Sequence, residues 1–304
     1  MEDVFNSRDI DVIEQTSEFL DKDQEIDLIR QIRAEFDNKI RSFEERKQSY
    51  EQVLAECDLP SAYQVPVHNA LETVCLNSNL DRKTTQLFLQ KCKKEGITFN
   101  SGFTAASDAA YVKLLRDKNV EKNSYRITVL HCINHRTHFT DANISFGNAM
   151  GAFDTHVDTP KDVEDEFWIY AKKIHKLIKG QQKLMTSLEH EVIEQVTKKS
   201  ALDPIVPEDI KENSLPKIIT YATSNMLDVT KTFADLERRN VRLDWYDRLT
   251  SVQLLPLLWV SDFQTYHGQL MLSVQYNLGL MTPDTAQKLS DNIFEVIKNV
   301  VMRP

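Results

Sequence analysis

Gln269-Leu-Met-Leu-Ser-Val-Gln-Tyr276 decides the fold class of this chain. It holds neither glycine nor proline, and its mix of branched, aromatic and hydroxyl side chains suits a pleated, buried surface, so it is predicted to be a strand. Lys217-Ile-Ile-Thr-Tyr-Ala222, Val241-Arg-Leu-Asp-Trp-Tyr246 and the run from Leu254 to Val260 have the same character. The last third of the chain is therefore expected to be strand-rich. A helix closes it: Thr282-Pro-Asp-Thr285 places a hydroxyl cap before a proline at the first helical position, and Ala286, Leu289, Ile293, Ile297 and Val300 fall on one face.

Upstream the pattern changes to helices around one further strand. Ile127, Val129 and Ile133 alternate along 125–133, which predicts a strand, followed by irregular chain to about Thr159. Pro160 opens and Gly180 ends a predicted helix over 160–179, with a second helix over 184–198. The segment 98–112 has hydroxyl caps and many small side chains, which let a helix pack closely on a sheet; a helix over 80–95 begins near Asp81 and stops at Gly96. Pro60 and Pro66 mark a connector, and Ile29, Ile32, Phe36, Ile40 and Phe43 give 9–56 the spacing of an amphipathic helix. The organisation predicted is a helical N-terminal segment and connector over 1–66 and an α/β (α+β) lobe over 67–304, with a mixed sheet flanked by helices.

The 37 basic and 46 acidic residues give a net charge of −9, so the field of the chain repels nucleic acid and anionic lipid. Cys57, Cys75, Cys92 and Cys132 have no Cys-x-x-Cys spacing, which fits buried or free thiols in a reducing compartment. No export signal opens the sequence, and the apolar run 254–260 is far shorter than the roughly 20 residues of a membrane span. A cytoplasmic protein with no membrane span and no nucleic-acid partner is expected.

Several segments, in order, carry a resemblance. The helix from Thr84 leads through Gly96-Ile-Thr98 into an alanine-rich helix. A strand ends in Asn134-His-Arg136, Gly147-Asn148 follows, and Phe167-Trp168 precedes Ala171. Tyr221-Ala-Thr-Ser-Asn225 and His267-Gly268 complete the series. Together, over about 71–301, they resemble the C-terminal half of the chloramphenicol acetyltransferase and condensation-domain superfamily, especially its alcohol acetyltransferase and polyketide-associated acyltransferase branches. One departure is visible: Leu227 stands where that family has a glycine after Ser-Asn-Leu.

The resemblance implies two similar lobes around a tunnel, with a His-His-x-x-x-Asp-Gly motif from the first lobe providing the general base that takes a proton from an alcohol or amine as it attacks an acyl thioester. None of the eight histidines is followed four residues on by aspartate. His68 and His190 come nearest, with Glu72 and Glu194 at that spacing. No catalytic residue is therefore assigned, and the chain is expected to be inactive by itself, either as part of a longer product or as a short paralogue without transferase chemistry. The resemblance implies acyl-CoA as co-substrate rather than a bound cofactor, and Asn134, Arg136, Ser224, Asn225 and His267 as substrate-binding candidates.

Each candidate also has a plain structural reading. Arg136 can tie down the following loop, Ser224 and Asn225 can close a strand into a turn, and Lys172, Lys173, Lys176, Lys179 and Lys183 can form a solvated face instead of a CoA phosphate site. His131, His135 and His138 lack the glutamate and helix of a zinc-protease motif, so no metal is expected. The rival to an acyltransferase-like lobe is a non-catalytic interaction protein, a homodimer or the partner of a missing N-terminal lobe, covering the apolar face that a single lobe leaves bare.

Overall fold

The computed structural model describes residues 58–64, 72–134, 150–183, 187, 219–233, 246, 248–252, 255 and 257–303. By its contacts the chain divides into two compact units. One comprises Leu54–His131, Asp154–Gly180 and Pro204–Pro304 and holds nearly all the described elements. The other comprises Met1–Val53, Cys132–Phe153 and Gln181–Asp203, of which only the ends of two strands, the end of one helix and Ser187 are described.

The described elements run in the order α1 (Asp58–Ala62), β1 (Thr73–Leu80), α2 (Arg82–Lys94), α3 (Phe99–Arg116), β2 (Ser124–Asn134), β3 (Met150–Pro160), α4 (Phe167–Lys183), β4 (Ile219–Asp228), β5 (Leu257–Tyr266), β6 (Gln269–Asn277) and α5 (Pro283–Met302). Among the described residues, six strands form one mixed sheet in the order β1-β6-β5-β4-β2-β3. The pairings β1–β6 and β6–β5 are antiparallel, whereas β5–β4 and β4–β2 are parallel. An α/β fold with a mixed sheet flanked by helices is thus what the sequence folds into.

Helix boundaries follow the caps. Asp81 accepts from the Thr84 N–H at 2.9 Å, and Gly96, with φ +73°, lets the chain leave α2 in the left-handed region that glycine enters without strain. Thr98 and Thr282 cap α3 and α5 in the same way. On the sheet, Phe103 of α3 stacks on Phe263 of β5 at 3.9 Å, and Tyr221 stacks on Trp259 at 4.6 Å beneath α3. Small side chains bring this helix close: a Cβ at Gly102 would stand 2.6 Å from the Cys92 Sγ and 3.1 Å from the Phe88 ring. The fully buried aromatic layer so formed is the core, and α5 packs onto α3, α2 and β1.

Several expectations change. The irregular chain expected before Thr159 contains β3, whose inward positions Phe153, Thr155, Val157 and Thr159 alternate with more exposed ones. Two of those four are threonines, which lowers the apolar contrast a strand normally shows. Leu80 ends β1 instead of starting a helix, and β1 itself was not expected. The helix expected over 160–179 starts at Phe167, after turns, and runs through Gly180 to Lys183. The strand expected from Leu254 starts at Leu257 and runs on to Tyr266. Tyr246 lies outside any strand, while 9–56, 241–245 and, save Ser187, 184–198 lie outside the described residues. Cys75, Cys92 and Cys132 are not in disulfides. No helix among the described residues is long and apolar enough to cross a membrane.

Candidate functional site

Because side chains alternate along a strand, the sheet has a second face, away from α3. There Ser224 lies opposite Asp262, and Asp262 opposite Ser273, on three adjacent strands near the middle of β4 and β5. The segment 248–252 crosses this face. Arg248 donates to Asp262 Oδ1 at 2.7 Å, to the Ser224 hydroxyl and to the Met226 sulfur, while Thr250 donates to Asp262 Oδ2 at 3.3 Å. Gln264 donates to the Tyr246 carbonyl at 2.6 Å and Gln275 to the Arg248 carbonyl at 3.3 Å.

Electrostatics follow from this burial. Asp262 is 1% exposed, and burial pushes its carboxyl up while the Arg248 guanidinium and the Thr250 and Ser224 hydroxyls pull it back. Arg248 and Asp262 neutralise each other, so the site is polar without net charge. It is also incompletely satisfied: Arg248 Nε, Gln264 Oε1 and Gln275 Oε1 are buried with no hydrogen-bond partner among the described residues. One donor and two acceptors are thus left in a place where each costs roughly 1–3 kcal/mol unless something occupies it. The arrangement can bind a small neutral group carrying both O–H or N–H donors and an acceptor.

The sequence candidates scatter. Ser224 is part of this cluster. Asn225 is a strand residue, paired with Phe263, at the start of a register irregularity in β4: its Oδ1 accepts from the Leu227 N–H at 2.8 Å, and Leu227 takes φ +63°, a conformation in which the missing glycine would sit without strain. The strand continues past both to Asp228. His267 and Gly268, at φ +48° and +75°, make the two-residue β5–β6 turn, the geometry that matches strand twist. His267 lies five residues beyond Asp262 along the chain, about 16 Å from that carboxylate at strand spacing. Asn134 is the exposed last residue of β2 and Arg136 lies outside the described residues. Of the five, Ser224 is placed in the cluster, Asn225 lies at the register shift of β4 and His267 in the β5–β6 turn.

The metal reading of His131 also resolves. Its Nε2 meets the Thr155 hydroxyl at 2.9 Å and its Nδ1 the Thr223 hydroxyl at 3.2 Å, and burial pushes its pKa down to about 3, so it is a neutral core histidine with both nitrogens engaged. His135 and His138 lie outside the described residues, and among those described no cluster of metal-ligating side chains exists. The lysines of α4 are exposed, and Lys172 pairs with Glu95 at 2.7 Å.

Sequence reasoning missed Arg248, Asp262, Gln264 and Gln275. The available signal was Asp262 within Leu257-Leu-Trp-Val-Ser-Asp-Phe263, a carboxylate in an otherwise apolar strand. It also missed Asp108, on the α3 face, which accepts from Tyr170 and Tyr221 hydroxyls, each at 2.8 Å. Burial pushes Asp108 up to about 7, against the pull of the two tyrosines.

No protein-family model and no curated protein matches the chain. Solved structures do. The condensation domain of the monacolin K polyketide synthase MokA is similar with a TM-score of 0.59 at 11% identity, over 91% of this chain and 61% of that one. The trichothecene 15-O-acetyltransferase of Fusarium sporotrichioides gives 0.56 at 13%, over 87% and 54%. The epimerization domain from the third module of tyrocidine synthetase B gives 0.52 at 11%, over 86% and 58%. The chain therefore has the fold of the chloramphenicol acetyltransferase-like and condensation-domain proteins, and spans little more than half the length of the structures it matches.

Proposed function

We propose that this chain is the substrate-binding portion of an acyl-transfer protein, holding the alcohol or amine that an acyl-CoA thioester acylates, and that it does not itself supply the general base of that transfer. The cluster around Arg248 and Asp262 carries the reading: on a fold shared with an O-acetyltransferase, it leaves one donor and two acceptors unsatisfied. The unpartnered Gln264 and Gln275 oxygens suit the hydrogens of a hydroxyl or amine, and Arg248 Nε–H suits its lone pair. CoA phosphates suit this cluster less, because Asp262 already offsets the guanidinium charge. None of the histidines has the aspartate spacing of the superfamily's motif, so the motif's imidazole is not among the residues of this sequence.

The test pairs binding with turnover. Ligand-observed NMR with a panel of short alcohols and amines should show binding that Arg248→Met weakens at least about tenfold, a loss of about 1.4 kcal/mol. Acetyl-CoA with the same panel should show no transfer until a histidine-bearing lobe is supplied. Binding that Arg248→Met leaves untouched would remove this cluster as the site.

A second reading, a non-catalytic interaction module, is favoured by Leu227 and Leu249, exposed at 70% and 65% and adjoining Met226 and Arg248 of the cluster. A partner of the same fold, or a second copy, would cover them. Sedimentation equilibrium separates the two: a dimer lost in Leu249→Glu supports this reading, and a monomer at all concentrations rejects the homodimer.

A further inference from the structure

On the sheet face away from α3, the outer strands β2 and β3 carry a second set of polar groups that the binding cluster does not use. Arg126 pairs with Asp158 at 3.1 Å and Thr128 meets His156 at 3.0 Å; each step of two along β2 is matched by a step back along β3, an antiparallel pairing. His156 and Asp154, two apart on β3, share a face, and His156 Nε2 lies 2.5 Å from Asp154 Oδ2. Three side chains are thus in line: hydroxyl, imidazole, carboxylate.

The hydrogen positions follow from chemistry. An ionised carboxylate only accepts, so the short contact to Asp154 puts the ring hydrogen on Nε2. In the neutral ring Nδ1 is then a bare lone pair, and the Thr128 hydroxyl facing it must be the donor. The backbone helps fix Thr128, whose N–H donates to the Thr220 hydroxyl at 3.1 Å. A hydroxyl whose proton points at a carboxylate-oriented imidazole is the arrangement that activates a nucleophile, with the two ring nitrogens exchanging their usual duties.

We propose that Thr128, His156 and Asp154 form a nucleophile, base and carboxylate relay that accepts a small acyl group from an activated ester or thioester. The Thr128 oxygen attacks the acyl carbon and forms a C–O bond while its proton moves to His156 Nδ1. The resulting imidazolium is held by Asp154. Collapse of the tetrahedral adduct breaks the bond to the leaving group, which takes the proton back from Nδ1. The products are an acyl-threonine ester and a free thiol or alcohol, with no change of oxidation state. Thr128 is only 3% exposed beside an imidazole that is 31% exposed, so access is narrow and the acyl group is restricted to the size of acetyl. This step needs neither the Arg248 cluster nor a second lobe and stands apart from the binding function.

The experiment uses the full chain and p-nitrophenyl acetate, with release of nitrophenolate and intact mass followed together. The expected result is a burst of one nitrophenolate per chain and a gain of one acetyl group, mapped to the peptide that contains Thr128. Thr128→Val abolishes the adduct, His156→Gln slows it about 100-fold, the scale of a lost general base, and Thr128→Ser retains it. The octanoate ester should give no burst. An adduct confined to lysines, or a burst that survives Thr128→Val, overturns the proposal. Should Thr128→Val fail to fold by near-ultraviolet circular dichroism, His156→Gln decides, since the His156 side chain is partly exposed and an unchanged burst in that variant is equally fatal.

Discussion

Two buried carboxylates, Asp108 and Asp262, stand on opposite faces of the same sheet and end in opposite circumstances. Asp108 receives Tyr170 and Tyr221, Tyr170 also meets Thr159 at 2.6 Å, and Tyr221 also reaches the Thr104 carbonyl at 3.2 Å. That network is closed and ties α3, α4, β3 and β4 together. Asp262 receives Arg248 and Thr250, yet its neighbours leave three buried polar atoms unanswered. A closed network specifies a core; an open one keeps binding capacity at the expense of stability. The difference separates a carboxylate in a closed network from one in an open network where burial alone does not.

The hardest test of that separation is Asp108→Ala. It leaves two buried tyrosine hydroxyls each short of a partner and opens a cavity under α3, so urea unfolding should show a loss of about 3–5 kcal/mol. A loss below about 1 kcal/mol would mean the network is not structural. The pH dependence sharpens the same point. With its folded pKa raised to about 7 from 3.8, Asp108 holds its proton more tightly in the folded state. Its contribution is present in full below the unfolded pKa and declines as pH rises from about 4 to about 7, by up to about 4 kcal/mol. The isosteric Asp108→Asn cannot titrate, so the stability of the native chain minus that of the variant should fall across this window. A flat difference would place the carboxylate in solvent.

Close packing on the helix face predicts a smaller but still clear effect at Gly102. The added methyl of Gly102→Ala meets Cys92 Sγ and the Phe88 ring, and separating α2 from α3 should cost about 1–3 kcal/mol by thermal unfolding. Pairing it with Cys92→Ala should recover part of that loss. An additive double variant would show that the helices have moved apart freely.

The helix face was largely legible and the other face was not, for a physical reason. Helix starts are written locally, as Asp81, Thr98 and Thr282 before their first turns, and buried strands show as apolar runs, as in β4 to β6. Edge strands blur that signal: β1 carries Asn77-Ser-Asn79, residue types favoured in turns, and β3 turns two threonines inward. Ser224 was reached through resemblance, whereas Arg248 and Asp262 come from separate segments and meet only through folding. The Asp154–His156 pair sits within one strand, yet no residue spacing announces the Thr128 that faces it from another.

The smallest effect is the most discriminating one. Gln275 is fully buried; its Nε2 makes two long hydrogen bonds, each 3.3 Å, and its Oε1 makes none. Gln275→Leu is close in volume, gives up those two weak bonds and removes the desolvated oxygen. If the oxygen is kept for a ligand, the unliganded variant should gain about 0.5–1 kcal/mol in urea unfolding while its binding of the alcohol and amine panel weakens about tenfold. A drop in stability of that size instead would mean that the glutamine is as fully engaged as Asp108, and the two faces of the sheet would no longer differ in kind.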